Sequence, residues 1–293
     1  MNLEELKSRK LHFIGIGGSG MSGLARISLA MGIETSGSDA KNSSALEDLT
    51  RLGAQTYVGH SEVNVNSNQV VVISSAIPDS NPELKKAKEL SLSILSRAKL
   101  LALFMENKKS IAVAGTHGKT TTTSALTVAL QSLGLDPSFA IGGTINRGGT
   151  NSHYGSGEIF VAEADESDGS FVAYRPHAAI ITNVEWDHVD HFESEAQVFE
   201  VFAEFVQTIS GFLVFCADDE GARKVASGAK VKTISYGKSE NAALRVDQIQ
   251  LNAGGSTARV LWNGAKIGTL ELSVPGEHNV LNAAAVLAVG LEL

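Results

Sequence analysis

Short apolar runs alternate with helix-like stretches and glycine-rich turns along the first part of the chain. Leu11-His-Phe-Ile14 is a short apolar strand, Gly15-Ile-Gly-Gly-Ser-Gly20 a turn, and Met21 to Met31 a helical stretch ended by Gly32. This is a strand–turn–helix start with G-x-G-x-x-G spacing. A second strand ends at Ser36-Gly-Ser-Asp39. A helix is predicted near Ser44 to Leu52, a strand over Val70 to Ser75, a helix after Pro82 and a short strand at Ser93-Ile-Leu95. Strands that alternate with helices specify a parallel sheet, so residues 1–107 are expected to form a small parallel α/β domain.

Glu106-Asn-Lys-Lys109 is a polar break, and a strand–turn–helix pattern restarts just after it. A boundary near Asn107 follows, with a second domain over residues 108–293. Its apolar strands are Glu158 to Ala164, Ala178 to Val184 and Phe212 to Cys216, with helices between, again suiting a mostly parallel sheet. Leu244 to Leu251, Thr257 to Trp262 and Lys266 to Val274 are β-rich and separated by Gly254-Gly255 and Asn263-Gly264, which predicts an antiparallel meander. Asn279 to Leu293 is an apolar helix with no polar tail, and the chain is expected to be cut from a longer one.

Composition agrees with two domains, since 293 residues exceed the usual single-domain length of about 100–200. Hydrophobic residues at 43% and charged residues at 19% describe a globular protein. The polar start Met1 to Lys10 is unlike a signal peptide, and no apolar run approaches the roughly 18 residues of a membrane helix, so a cytoplasmic protein without membrane partners is expected. The single cysteine, Cys216, allows no intrachain disulfide and lies in a run that reads as a buried strand, hence a structural thiol. A net charge of −8 opposes nonspecific nucleic-acid binding, so any phosphate site must be local, built from backbone amides and a few cations.

Such a site is spelled in Ile111-Ala-Val-Ala-Gly-Thr-His-Gly-Lys-Thr-Thr-Thr-Thr123. Gly115 and Gly118 let backbone N–H groups approach an anion, the helix N-terminus adds its dipole, Lys119 brings a point charge, and Thr120 can place a hydroxyl on Mg²⁺. The common pattern has a glycine at the position of Val113, so this loop is shorter by two residues. His117 reads equally as a phosphate neighbour or as a conformational residue. Further on, Glu163, Asp165, Glu166 and Asp168 crowd the carboxyl end of an apolar strand. An acidic cluster is usually solvated, but this placement after a phosphate loop favours a hold on Mg²⁺, with Glu163 nearest the strand. Ile180 to His191 repeats the arrangement and ends in Asp187-His188 and His191. Zinc is disfavoured, because no further His or Cys cluster completes a tetrahedral set.

The first glycine loop alone would also fit a nicotinamide dinucleotide, with Asp39 about 20 residues on to hold a ribose. A dehydrogenase leaves the second loop unexplained, however. Two phosphate loops imply one substrate carrying a diphosphate and another that is a nucleoside triphosphate.

Together these motifs resemble the Mur ligases of peptidoglycan synthesis, over the whole chain. The matching segments are His12 to Gly23, Ser74-Ser-Ala-Ile-Pro78, Ser96-Arg97, Gly115 to Thr121, Gly142-Gly143, Glu163 to Asp168, Thr182-Asn183 with Asp187-His188, and Gly276 to Asn282. The resemblance implies a Rossmann-like parallel α/β domain followed by a P-loop ATPase-type α/β domain with an antiparallel β meander. It implies that Gly17, Gly18, Ser19, Gly20, Met21, Ser38, Asp39, Ser74, Ser75, Ala76 and Arg97 bind UDP-N-acetylmuramate. ATP would be held by Gly115, Thr116, His117, Gly118, Lys119, Thr120, Thr121 and Asn183, with His278, Asn279 and Asn282 near the adenosine. Thr120 and Glu163 would hold one Mg²⁺ and His188 a second, leaving Lys119, Glu163 and His188 as the catalytic set.

The implied activity is ATP-dependent ligation of L-alanine to UDP-N-acetylmuramate through an acyl phosphate. The Gly15 to Met21 spelling favours an alanine-adding member over one that recycles murein peptide. A non-catalytic nucleotide-binding module is the other alternative, opposed by the presence of Thr120, Glu163 and His188. Two departures stand out. No lysine lies between His177 and Arg223, where later-acting members carry a carbamylated one. The third, C-terminal domain of the family lies beyond Leu293, so slow turnover is expected of this chain alone.

Overall fold

A computed structural model describes residues 1–144, 149–167, 169–187, 192 and 194–293. The first strands are β1 (Lys10–Ile14), β2 (Thr35–Asp39), β3 (Gln55–Val58), β4 (Gln69–Ile73) and β5 (Ile94–Ser96). The helices among them are α1 (Leu3–Lys7), α2 (Ser19–Ala30), α3 (Ser44–Arg51), α4 (Pro82–Glu89) and α5 (Arg97–Met105). The five strands are parallel, in the order β3-β2-β1-β4-β5. β1 is central and buries Leu11, Phe13 and Ile14 completely.

Local chemistry starts and stops these elements. Asn81 accepts hydrogen bonds from the Glu83 and Leu84 amides ahead of Pro82, and Ser96 caps α5 through the Lys99 amide. Gly37 in β2 has no room for a side chain, since a Cβ there would lie 2.6 Å from the Phe13 carbonyl oxygen and 2.7 Å from Ile16. β3 escapes a hydrophobicity reading because it is an edge strand whose residues are exposed or half-buried.

β6 (Lys109–Ala114) and α6 (Lys119–Ser132) follow, then the antiparallel pair β7 (Ser138–Ala140) and β8 (Ser152–His153). Next come β9 (Ile159–Glu163), β10 (Ala178–Ile181), α7 (Glu195–Thr208), β11 (Phe212–Cys216), α8 (Glu220–Ala226) and β12 (Lys232–Gly237). The chain ends in β13 (Leu244–Asn252), β14 (Gly255–Trp262), β15 (Ala265–Leu272) and α9 (Glu277–Glu292). In the second sheet the order β13-β12-β11-β10-β6-β9 is parallel throughout, and β13-β14-β15 form the antiparallel meander. Asn263 and Gly264, at φ 49° and 82°, make the two-residue turn between β14 and β15 that this dipeptide favours. Phe171 packs on Phe202 and Phe205 with ring centroids 5.2 and 4.7 Å apart, under α7. Burial pushes the Cys216 thiol up from its ordinary pKa, in keeping with a structural thiol. Among the described residues no helix is long and apolar enough to cross a membrane.

The chain divides into two compact units, Met1–Lys108 with Pro137–Gly157, and Lys109–Asp136 with Glu158–Leu293. By contacts the stretch 137–157 thus groups with the first unit, although it follows residue 107 in the chain. Polar contacts tie that stretch to the first unit. Asn151 donates to the Ser19 carbonyl at 2.7 Å, and Lys108 donates to the Gly155 and Gly157 carbonyls at 2.8 and 2.7 Å. Hydrophobic periodicity carries no trace of such contacts.

A polar cluster lies buried beneath the sheet end of the first unit. The Glu83 side chain is fully buried and accepts from Asn64 at 2.6 Å, from the Ser61 amide at 3.2 Å and from the Ser38 hydroxyl. His12 and His60 stand 3.5 and 3.4 Å from the same carboxylate. Burial drives the Glu83 pKa upward, but the adjacent His12 ring and hydrogen bonds from Ser38 and Asn64 together outweigh it and bring the carboxyl down to about 2. A folded-state pKa below the unfolded value stabilises the protein above pH about 4.5, and the contribution disappears as pH falls toward 2. At neutral pH it should amount to on the order of 3 kcal/mol. Melting curves between pH 7 and 2 should therefore show an acid loss of stability that is smaller in Glu83→Gln, and equal acid slopes would contradict this assignment.

Candidate functional site

In the second unit, β6 delivers its chain into a loop with two left-handed glycines. Gly115 has φ 136° and Gly118 φ 82°, conformations that residues with a Cβ rarely adopt. A Cβ on Gly115 would also lie 2.0 Å from the Thr182 hydroxyl oxygen. The end of β10 holds the loop from its other side. Thr182 donates to the His117 carbonyl at 2.7 Å, and Asn183 both accepts from the His117 amide at 2.7 Å and donates to its carbonyl at 3.0 Å. Thr116 joins in through its amide, which donates to the Asn183 carbonyl, and its hydroxyl, which exchanges hydrogen bonds with the Glu185 backbone at 3.2 and 2.9 Å. His117 is exposed and fixed by its backbone.

Gly118 caps α6, so Lys119, Thr120 and Thr121 form its first turn, where amides lack intrahelical partners. Lys119 is mostly buried and donates to the Gly115 carbonyl at 2.7 Å, the Thr116 carbonyl at 3.1 Å and Glu166 at 2.8 Å. Thr120 donates to the Glu163 carboxylate at 2.8 Å across to β9. Threonine hydroxyl and carboxylate are the hard oxygen donors that Mg²⁺ prefers, so this pair fits that ion. Among the described residues no group of three or more His, Cys, Asp or Glu could hold a metal. His188, with His191 and Asp168, lies outside the described residues. From α9, Asn282 approaches Gly118, its Oδ1 3.0 Å from where a Cβ would stand. His278 is exposed, and Asn279 donates to the Pro275 carbonyl at 2.8 Å.

The first unit carries its own loop at the end of β1. Gly15, at φ 80°, and Ile16 donate to the Ser38 carbonyl at 2.8 and 2.9 Å, and the Gly17 amide donates to Asp39 at 2.9 Å. Gly18 caps α2, leaving Gly18 and Ser19 exposed and Met21 buried. Arg97 lies against Gly20, its Cδ 3.2 Å and Nη1 3.4 Å from a Cβ placed there. Ser75 and Ala76 are exposed beyond β4, with Ser74 half-buried. Ser38 faces inward, and its hydroxyl serves Glu83 while its carbonyl holds the loop.

Residues 113–290 match the Mur ligase middle domain, and residues 10–109 the Mur ligase family catalytic domain. The chain belongs to the Mur ligase family. Its relatives include the UDP-N-acetylmuramate--L-alanine ligase of Renibacterium salmoninarum, 49% identical over 100% of this chain and 64% of that protein. The ligase of the same name from Streptomyces coelicolor is 47% identical over 96% of this chain and 62% of that protein. The chain thus spans less than two thirds of the length of these relatives. Among solved structures, the UDP-N-acetylmuramate-alanine ligase of Thermotoga maritima superposes with a TM-score of 0.84 at 31% identity, over 97% of this chain and 66% of that one. A UDP-N-acetylmuramate:L-alanyl-γ-D-glutamyl-meso-diaminopimelate ligase from Neisseria meningitides gives 0.87 at 30% identity, over 97% and 93%.

Within this Mur ligase chain the structure gathers Gly115 to Thr121, Glu163, Asn183 and Asn282 about one loop. Two participants were missing from the residue set expected from sequence. Thr182 is buried at the end of β10 and Glu166 is buried against Lys119. The first stood in the sequence as part of the Thr182-Asn183 segment without a role of its own, the second as one of four neighbouring acids. Gly115→Ala forces a Cβ onto Thr182 and should cost about 1–3 kcal/mol, lowering the melting temperature by several degrees in calorimetry. Thr182→Val removes the hydroxyl's hydrogen bonds to the His117 and Ala114 carbonyls, the first of which keeps Asn183 as a donor, and should cost about 1 kcal/mol in the same melts.

Proposed function

We propose that this chain is the UDP-N-acetylmuramate- and ATP-binding part of an enzyme that ligates L-alanine to UDP-N-acetylmuramate. The Lys119–Thr120–Glu163 arrangement carries the reading. It sets a cation, a hydroxyl and a carboxylate around a glycine loop that opens into a helix N-terminus, the combination that a triphosphate with its metal ion calls for. Thr120 and Glu163 would hold Mg²⁺, and when bound that ion neutralises charge on the phosphate oxygens. Lys119 provides a further positive charge to the same phosphates, and the amides of the first α6 turn provide hydrogen bonds. In the first unit, Gly17 to Gly20 with Arg97 would take the diphosphate of UDP-N-acetylmuramate, and Asp39 is proposed for its ribose.

The chemistry needs no covalent nucleophile on the protein. The lactyl carboxylate takes the γ-phosphoryl group of ATP and ADP leaves. The amine of L-alanine attacks the acyl phosphate, which expels phosphate as the amide forms and the amine gives up a proton. Each step brings anions or dipoles together, so alignment and charge neutralisation are the main demands on the site. The relatives at 49 and 47% identity, both named as L-alanine ligases, support L-alanine as the amine.

Calorimetry separates the two sites. Lys119→Ala should weaken binding of a non-hydrolysable ATP analogue at least tenfold and leave UDP-N-acetylmuramate unchanged; equal losses for both ligands would refute two separate sites. Gly20→Glu places a carboxylate in the diphosphate loop beside Arg97 and should have the opposite selectivity. With the whole protein, phosphate release should be far faster with L-alanine than with L-Ala-γ-D-Glu-meso-diaminopimelate, and the reverse order would transfer the assignment to peptide recycling.

A further inference from the structure

Lys119 and Glu166 make a contact that nucleotide binding alone does not explain. An ammonium has three N–H bonds, and here they meet the Gly115 carbonyl at 2.7 Å, the Thr116 carbonyl at 3.1 Å and the Glu166 carboxylate, whose two oxygens lie 2.8 and 2.7 Å away. The two carbonyls belong to the loop and remain beside the lysine whatever it binds. Glu166 comes from another element, the stretch after β9, and it alone of the three carries charge. Its side chain is 2% exposed and that of Lys119 13%, so solvent screens this ion pair little.

The neighbouring acid has a different task. Glu163, three residues earlier, takes the Thr120 hydroxyl at 2.8 Å. Two carboxylates at the end of one strand thus divide the first turn of α6, one facing the hydroxyl and the other facing the ammonium. An anion arriving in the loop meets a cation already paired with a buried carboxylate, and a phosphate oxygen must take the place that Glu166 holds.

We propose that Glu166 is a positioning residue that keeps the Lys119 ammonium in a rest position, from which a nucleotide phosphate must displace it. This rests on the assignment of the Gly115–Thr120 loop to a nucleoside triphosphate. The carboxylate prevents a bare buried cation in the empty loop, and it sets the affinity below what Lys119 alone would give. If the ammonium is free to meet phosphate in only a fraction of molecules, apparent affinity falls by that fraction.

Two measurements on the 293-residue protein test this. The first needs no nucleotide. Lys119 is acylated by a water-soluble N-hydroxysuccinimide ester and the rate is followed by peptide mass spectrometry. Release of the ammonium in Glu166→Gln should raise that rate several-fold, and an unchanged rate would overturn the proposal. If the Gln variant does not fold, Glu166→Asp, whose shorter reach loosens the pair, should also react faster than wild type, with an unchanged rate counting against it equally. The second is a double-mutant cycle with a non-hydrolysable ATP analogue. Glu166→Gln should tighten binding about threefold to tenfold, and this gain should vanish in a Lys119→Met background. Weaker binding, or the same gain with Met at 119, would show that Glu166 does not act through the lysine. Lys119→Met on its own reports on the underlying assignment. If it leaves the affinity for the analogue unchanged, the nucleotide site is wrong, whereas the acylation rate still decides the rest position.

Discussion

The phosphate loop depends on the end of a neighbouring strand. Parallel pairing of β10 with β6, in which Ile181 stands opposite Ala114, brings Thr182 and Asn183 beside the loop at the point where β6 stops. Their side chains and backbone then take up the amides and carbonyls of Thr116 and His117. A loop with two left-handed glycines has little conformational preference of its own, because glycine reaches many states at similar energy. The β10 end therefore selects one shape, and the first turn of α6 presents its free amides from that shape.

Both units rely on buried charge, in different ways. In the first, Glu83 accepts from the Ser38 hydroxyl, the Ser61 amide and Asn64, and the Ser38 carbonyl ties the same place to the Gly15–Ile16 turn. A fully enclosed carboxylate with this many donors is tolerated because its lone pairs are used, and it fixes the segments that supply them. In the second, Lys119 and Glu166 form a pair between a helix start and a strand end, open on one side to the loop. The first arrangement suits a platform that holds still. The second suits a charge that must change partner.

Much of the α/β alternation was legible in the chain because its central strands are buried on both faces and read as unbroken apolar runs, as in Val70–Ile73, Ile111–Ala114 and Phe212–Cys216. The meander was legible through Asn263-Gly264 and alternation. β3 was not, being half-exposed, and neither was β12, half of which is exposed or partly so. The pairing of β7 with β8 was invisible for another reason. Each is too short for periodicity to register, and their place in the first unit comes from polar contacts such as Asn151 with Ser19.

The two glycine loops, the lysine and hydroxyl that follow the second, and the family to which they belong can all be read from the order of residues. Those features are local, since spacing within a dozen residues carries them. The tertiary structure alone decided which of four clustered acids meets which partner, Glu163 with Thr120 and Glu166 with Lys119. It also turned Ser38 inward to Glu83. Partners 43 to 47 residues apart are joined by strand register, and register is set by the packing of the whole sheet.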